Sequence, residues 1–493
     1  MSEPEPTPRV AVVGGGITGL SAAHRLVTAA RIPGSPPVSV TVIEKSPRLG
    51  GKVFTDHRGG FLIEGGPDSF VAGKRFVLEL ARELGIENRV ISSRPEHRGA
   101  HVWSRGRLQP IPDGLLLMAP SRLLPMLRSP VLSWRGKLRV LADLIIPRGP
   151  NEDQSLEQFV VRRLGRELLD RIAEPLIAGI HAAEPSTMSL AASFPRFLDM
   201  EREHRSLILA ARAATRETGT APGPADSGLG YFASFTEGMG ELTDALAGAL
   251  QGVHIKTRRA VTHLVRTESS NGFRLTLDDR SEVRAQGVIL ATPAGETSAL
   301  LSELAPDVSA LVAGIKQVAT ATVTLAFRAS DIPGLRGSGF VVPAVEQRRI
   351  MGASYLSRKW QGRVPDPNFE LVRAFVGGPH GQDLALSGEQ QLVEVAREEL
   401  AEILGVTATP VMSTARTFAG GLHQYTLGHL DRISRIESAL AAHPGLAVAG
   451  AGFHGIGLNE CVQSGREAAD QVQAAIDELS RRGAVLLESG GSH

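Results

Sequence analysis

The chain has 493 residues, 42% hydrophobic and 21% charged, with Lys plus Arg at 53 against Asp plus Glu at 52. This composition excludes a disordered or collagen-like chain, and the charge balance excludes a nucleic-acid binder that works by net charge. The lone cysteine, Cys461, excludes an intrachain disulfide and any cysteine-built zinc or iron–sulfur centre, so a reducing cytoplasm is expected.

Residues 1–8 are acidic and proline-rich, unlike a signal or transit peptide. A β-branched run at 9–13 predicts a strand, glycines at 14–16 break it, and Leu20, Ala23 and Val27 mark one face of a helix over 17–30. The turn 33–37 (PGSPP) ends that helix, and 38–43 (VSVTVI) predict a second strand closing at Glu44. Strand, glycine turn, helix and strand in this order begin a right-handed parallel unit. Helical patterns cut by Pro and Arg dominate 73–220, with a helix expected over 155–171. The most apolar stretch there, 115–132, is interrupted by Pro120, Arg122, Pro125, Arg128 and Pro130, so no membrane span is expected. Small and polar residues at 210–230 predict a loop between lobes. Strands are expected at 260–268, 272–277 and 283–291, then at 318–327, 338–342 and 370–376, before a helix at 390–404. A strand at 446–449, a glycine-rich turn and a helix over 464–481 close the chain.

Gly14-x-Gly16-x-x-Gly19 lies between the first strand and helix. Gly14 suits the tight turn, Gly16 lets backbone approach a pyrophosphate, and Gly19 lets helix and strand pack closely. The helix start offers free N–H groups and partial positive charge to phosphates. Glu44, at the end of the next strand, can accept both ribose hydroxyls and would repel the 2′-phosphate of NADP. FAD and NAD share this fingerprint. Arg48-Leu49-Gly50-Gly51 after the acid, 61–70 (FLIEGGPDSF) and glycines over 450–457 favour FAD.

The stretches GGGITGL at 14–20, GFLIEGGPDSF at 60–70, EPLIAGI at 174–180, MEREHRSLIL at 200–209, QYTLGHL at 424–430 and GIGLNECV at 455–462 carry a family likeness. The sequence resembles the oxygen-dependent protoporphyrinogen and coproporphyrinogen III oxidases over nearly its whole length. The resemblance implies an α/β protein with a Rossmann-like FAD-binding domain, an inserted α+β substrate domain and a helical lobe. The FAD domain would take 1–90, 229–299 and 441–493, the substrate domain 91–115 and 300–440, and the lobe 116–228. It implies oxidation of a porphyrinogen with O2 as acceptor, the flavin rather than a side-chain nucleophile carrying the chemistry. No metal is implied. The family pattern places Gly14, Gly15, Gly16, Ile17, Thr18, Gly19, Glu44 and Lys45 on the adenosine end, with Val261 bonding adenine through its backbone. It places Arg48 near the pyrophosphate with Gly51, and Lys52, Gly66, Pro67, Asp68, Ser69, Phe418, Ile456, Gly457 and Leu458 near the flavin. Asp68 would position substrate through its backbone carbonyl. Lys74 and Arg98 would meet propionates, and Gly179 would lie beside the macrocycle.

Ala100 stands where many protoporphyrinogen oxidases carry a propionate arginine, and 181–184 reads His-Ala-Ala-Glu where an aromatic-Ala-Gly-Asp is usual. Phe418 replaces a tryptophan, and His423 replaces the proline of a Pro-Gln-Tyr. His181 and His423 read as ordinary surface histidines. GGPDSF followed by Lys74 leans toward coproporphyrinogen III, with protoporphyrinogen IX as the alternative. A different flavin amine oxidase or desaturase, or an inactive flavin-binding scaffold, are the further readings. The lobe leaves a peripheral contact with the inner face of the cell membrane open, as well as contact with haem-pathway enzymes. Nothing in the sequence specifies an oligomeric state.

Overall fold

The computed structural model describes residues 7–30, 37–116, 118–150, 152–218, 229–267, 272–332 and 334–490. The turn expected at 33–37 lies outside them except for Pro37, as do residues 219–228 of the expected loop.

Five parallel strands form one sheet in the order His254–Thr257, Ser39–Glu44, Arg9–Val13, Gly287–Leu290, Leu446–Val448. They come from the start, middle and end of the chain. Apart from the exposed edge strand His254–Thr257, the sheet is buried on both faces, as its nearly continuous apolar strands require. Val10, Val12, Val40 and Val42 meet Leu20 and Leu26 of the helix Ile17–Ala29, together with Leu242, Val472 and Ile476. Ala11, Val13, Ile43 and Val288 point the other way, onto Leu275, Leu301, Val312 and Ile436. The helices Ala294–Leu301, Pro306–Ala313 and His429–Leu440 thus pack on the parallel sheet. We therefore propose substrate-domain boundaries near 316 and 428 in place of 300 and 440.

The closing helix, Leu458–Gly490, starts six residues earlier than expected. Cys461 and Val462 are buried in the first core, and Asn459 accepts from the Val77 amide and donates to the Val71 carbonyl. A stretch that reads as a turn is therefore the helix's first turn, held by tertiary contacts.

A second, seven-stranded sheet has the order Met412–His423, Gln317–Arg328, Phe369–Gly377, Gly352–Tyr355, Gly339–Val341, His101–Ser104, Arg107–Pro110. One face of it packs on the helix Glu389–Leu404 through Val323, Val372, Ala374, Val376, Leu392 and Leu400. A third core, from Met118 to Ala211, is helical. The helix expected over 155–171 is broken at Gly165, whose φ is +93°. Leu156–Arg163 precedes the break, and a π-helical turn at Leu169–Ala173 leads into Glu174–His181. Residues 210–218, expected as loop, belong to the helix Leu207–Thr218. Its small residues pack rather than unfold, since Leu207, Ile208, Ala210 and Ala211 are all buried. Among the described residues no helix is long and apolar enough to cross a membrane.

Candidate active site

At the carboxyl end of the first strand the chain turns at Gly14, whose φ is +106°. A Cβ at Gly14 would lie 2.6 Å from the Ala291 carbonyl oxygen, and one at Gly19 would lie 1.9 Å from the Gly14 oxygen. Both positions are glycine because protein backbone occupies the space. Gly16 differs. Its φ of −75° suits any residue, and the nearest atom to a Cβ there is the Gly51 Cα at 4.0 Å. The gap above Gly16, at the start of the helix Ile17–Ala29, is not needed by the protein's own packing. It fits a phosphate held on free helix amides.

Glu44 ends the second strand with its side chain buried. Its Oε2 accepts from the Gly15 amide at 2.7 Å, and its Oε1 accepts from the Ser46 amide and hydroxyl. The Arg259 amide donates to the Glu44 carbonyl, which brings the strand starting at Val261 beside this carboxylate. Lys45 lies outside, paired with Glu296 at 2.9 Å. Arg48 is exposed, but its guanidinium folds back onto its own loop. It donates to the Leu49 and Gly51 carbonyls, lies over the Phe54 ring, and burial lowers its pKa. The guanidinium thereby buttresses the loop whose Gly50 amide donates to the Gly15 carbonyl.

The second sheet turns its other face toward this cradle. Strand register sets Val341, Gly352, Phe375, Thr322 and Arg416 side by side across the sheet. Two residues along stand Ser354, Arg373, Thr324 and Thr414, and two residues the other way stand Gly377, Thr320 and Phe418. Side chains alternate along strands, so these rows point away from the core that Val372 and Ala374 enter. Thr320, Thr322, Phe375 and Phe418 are half-buried, whereas Thr324 and Arg373 are buried. Three segments border this face. Arg373 Nη2 donates to the Gly66 carbonyl at 2.5 Å. Lys52 Nζ donates to the carbonyls of Gly420 and Gly421, at 2.8 and 2.7 Å. Gly179 lies against Val341, with room for a Cβ.

The segment Gly66, Pro67, Asp68, Ser69 is therefore brought to the sheet face. The Asp68 carboxylate is half-buried, accepting from Ser69 Oγ, from Lys359 Nζ at 2.9 Å and from Trp360 Nε1 at 3.2 Å. Burial opposes its charge most strongly, yet Lys359 and Arg373 hold it well below the usual carboxylate range. Its backbone carbonyl accepts from the Ser234 hydroxyl at 2.8 Å. Beneath it Glu64 accepts from the Met239 amide and the Thr55 hydroxyl, 3.7 Å from Arg363, and burial pushes its pKa up to about 7.

His181 and His423 are not surface residues, being 9% and 4% exposed. Burial lowers the pKa of each to about 4, with Lys52 adding to the effect at His423. His423 Nε2 accepts from the Ala294 amide, so the ring is a neutral acceptor. Lys74 is bound to Glu460, which also covers Gly455 and Gly457 at the start of the closing helix. Arg98 is exposed, and its side chain makes no hydrogen bond among the described residues. Arg373, Phe375 and Lys359 escaped the sequence reading. For Arg373 and Phe375 the signal was the alternation over 370–376, which sets them opposite to Val372, Ala374 and Val376.

A family model described as flavin containing amine oxidoreductase matches residues 17–473. The chain belongs to this family. Its cofactor is FAD, and the clear space at Gly16 fits that group. The coproporphyrinogen III oxidase of Propionibacterium freudenreichii subsp. freudenreichii is 34% identical over 94% of this chain and 90% of the relative. The coproporphyrinogen III oxidase of Bacillus subtilis (strain 168) is 30% identical over 93% and 96%. The Homo sapiens protoporphyrinogen oxidase is 32% identical over 94% and 98%. A crystal structure of an Exiguobacterium sp. 255-15 protein, 30% identical, superposes with a TM-score of 0.84 over 95% of this chain and 99% of that one.

Proposed function

We propose that this chain oxidises coproporphyrinogen III to coproporphyrin III in haem biosynthesis, reducing three O2 to three H2O2. Six hydrogens and six electrons leave the macrocycle, which balances three peroxides. The observation that carries the reading is the half-buried face of Val341, Gly352, Phe375, Thr322 and Phe418 beside the FAD cradle. It offers a broad ring a small-residue and aromatic surface edged by cations, with no nucleophile poised in it. FAD, when bound, supplies the two-electron acceptor for a hydride from the macrocycle.

We assign Gly14, Gly15, Gly16, Ile17, Thr18, Gly19, Glu44, Lys45 and the Val261 backbone to the adenosine and pyrophosphate half. Arg48, Gly51, Lys52, Gly66, Pro67, Asp68, Ser69, Phe418, Ile456, Gly457 and Leu458 serve the flavin half. Arg48 acts there by shaping its loop. Lys52 ties that loop to the substrate sheet, and Gly179 leaves room for the ring. The Asp68 carbonyl, oriented by Ser234, faces substrate, while Lys74 and Arg98 meet propionates.

Protoporphyrinogen IX is the second reading, supported by the 32% identity to the human protoporphyrinogen oxidase. Purified holoenzyme should be given each porphyrinogen in dim light, following porphyrin fluorescence and oxygen uptake. A kcat/KM about tenfold higher for coproporphyrinogen III, roughly 1.4 kcal/mol of transition-state discrimination, is the expected result. The reverse preference selects the second reading, and no turnover of either leaves an inactive flavin-binding scaffold.

The helical lobe also supports peripheral membrane contact, with haem-pathway enzymes as neighbours there. Leu124, Trp134, Leu138 and Ile145 are 56%, 73%, 66% and 78% exposed. The exposed Arg128 and Arg135 stand among them, the mixture that binds an anionic interface. Flotation with anionic vesicles, abolished by Trp134→Ser with Leu138→Ser, is the check.

A further inference from the structure

Arg373 is 2% exposed and carries five N–H donors, yet among the described residues it makes a single hydrogen bond, Nη2 to the Gly66 carbonyl. Its Nε is buried without a partner. Among the described residues it forms no ion pair, for Asp68 pairs with Lys359 and Glu64 lies beside Arg363, so both carboxylates act on Arg373 only from a distance. Burial also leaves Glu64 part-protonated near neutral pH, since its pKa is about 7. A buried guanidinium with unmet donors and no direct ion pair is costly, and an incoming carboxylate would meet both needs.

Strand register shows where the anion would arrive. Arg373 stands between Ser354 and Thr324, one row deeper than Phe375 and Thr322 on the sheet's open face. We propose that Arg373 is a carboxylate receptor at the inner edge of this face, taking one carboxylate of the substrate. The assignment rests on the porphyrinogen reading above and adds to it a residue that sets substrate choice. A substrate with four carboxylates always presents one at this edge, whereas a ring bearing carboxylates on one side alone must be turned to reach it. Two sources of negative charge have the same chemistry here, a substrate carboxylate and the reduced cofactor, and the experiment separates them.

Holoenzyme of the wild type, Arg373→Gln and Arg373→Lys is titrated with coproporphyrin III and with its uncharged tetramethyl ester, and the flavin reduction potential of each is measured. Arg373→Gln should weaken the tetra-acid at least tenfold, leave the ester within twofold and leave the potential in place. Arg373→Lys should recover part of the loss. Equal loss for acid and ester, or no loss, overturns the proposal. A shifted potential with unchanged acid affinity assigns the charge to the cofactor and overturns it too. Should the glutamine variant not fold, Ser354→Asp sets a competing carboxylate beside Arg373, and unchanged tetra-acid binding there overturns the assignment. Wild-type protein that binds neither porphyrin refutes the porphyrinogen reading and this proposal together. Wild-type binding that is insensitive to Arg373 refutes this proposal alone.

Discussion

The Tyr425 hydroxyl accepts a 2.6 Å hydrogen bond from the Gly455 amide and donates one of 2.8 Å to the Ala451 carbonyl. His429 stacks on the tyrosine ring at 4.0 Å between centroids and bonds the Phe453 carbonyl at 3.0 Å. Three backbone groups of one glycine-rich turn therefore hang on two side chains that follow the strand Met412–His423. Tyr425→Phe removes one oxygen and leaves an amide and a carbonyl without partners. Stability should fall by about 1–3 kcal/mol, and FAD retention by roughly tenfold, because the turn at 451–455 loses its strut. Urea denaturation and flavin release on dialysis check this. If neither changes, the turn is held by its own backbone.

Gly16 and Gly19 should respond oppositely to alanine. At Gly19 the new Cβ would lie 1.9 Å from the Gly14 oxygen, so Gly19→Ala forces helix and strand apart. Apo-protein stability should drop by about 3 kcal/mol or more, in the range of severe overpacking. At Gly16 the space is clear, so Gly16→Ala should fold normally and lose FAD. Melting of apo-protein, beside flavin absorbance of the purified variants, separates the two. A Gly16→Ala protein as yellow as wild type would move the phosphate elsewhere.

The parallel sheet and its glycine turn were legible because local rules coincide there: β-branched runs, a glycine triplet and a terminal acid all point to one unit. The first turn of the last helix and residues 210–218 of the helix Leu207–Thr218 were misread because those stretches are polar or alanine-rich. Only buried neighbours, such as those of Cys461 and Ala211, make them helical. His181 and His423 were misplaced for a similar reason, since burial depends on which lobe closes over a residue. Arg373 could not be picked from a chain with 46 arginines. Lysine, with seven copies, was the better signal, and Lys52, Lys74 and Lys359 all border the site.

Acid should destabilise the protein through buried histidines. His181, His423 and His429 have pKa values of about 4 in the fold, lowered chiefly by burial from the ordinary 6.5. A group depressed in this way contributes stability above the unfolded pKa and loses it as pH falls through the folded one. The loss therefore runs from about pH 6.5 down to 4, at up to about 3 kcal/mol for each ring. Glu64 acts in the opposite sense, its contribution fading as pH rises from about 4.5 toward 7. Melting temperature should drop between pH 7 and 5. His423→Gln, which keeps an acceptor for the Ala294 amide, should flatten that drop. An unchanged slope would show that His423 protonates without penalty.

Lys74 and Glu460 provide a test with two signs. Lys74 precedes the helix Arg75–Glu83, where a cation is disfavoured by the helix dipole, and it is 56% exposed. A half-exposed pair in that position contributes about 0–1 kcal/mol to stability. We propose that the lysine serves substrate carboxylates, with Glu460 holding it in reserve. Lys74→Ala should raise KM for coproporphyrinogen III by roughly three- to tenfold with melting temperature nearly unchanged. Glu460→Gln releases the lysine and should lower KM. A structural ion pair would give equal, small effects of the same sign in both variants, and steady-state kinetics at two salt concentrations distinguishes these outcomes. Salt should weaken the Lys74-dependent part of KM, because an exposed ammonium is screened within about 10 Å at 0.1 M ionic strength.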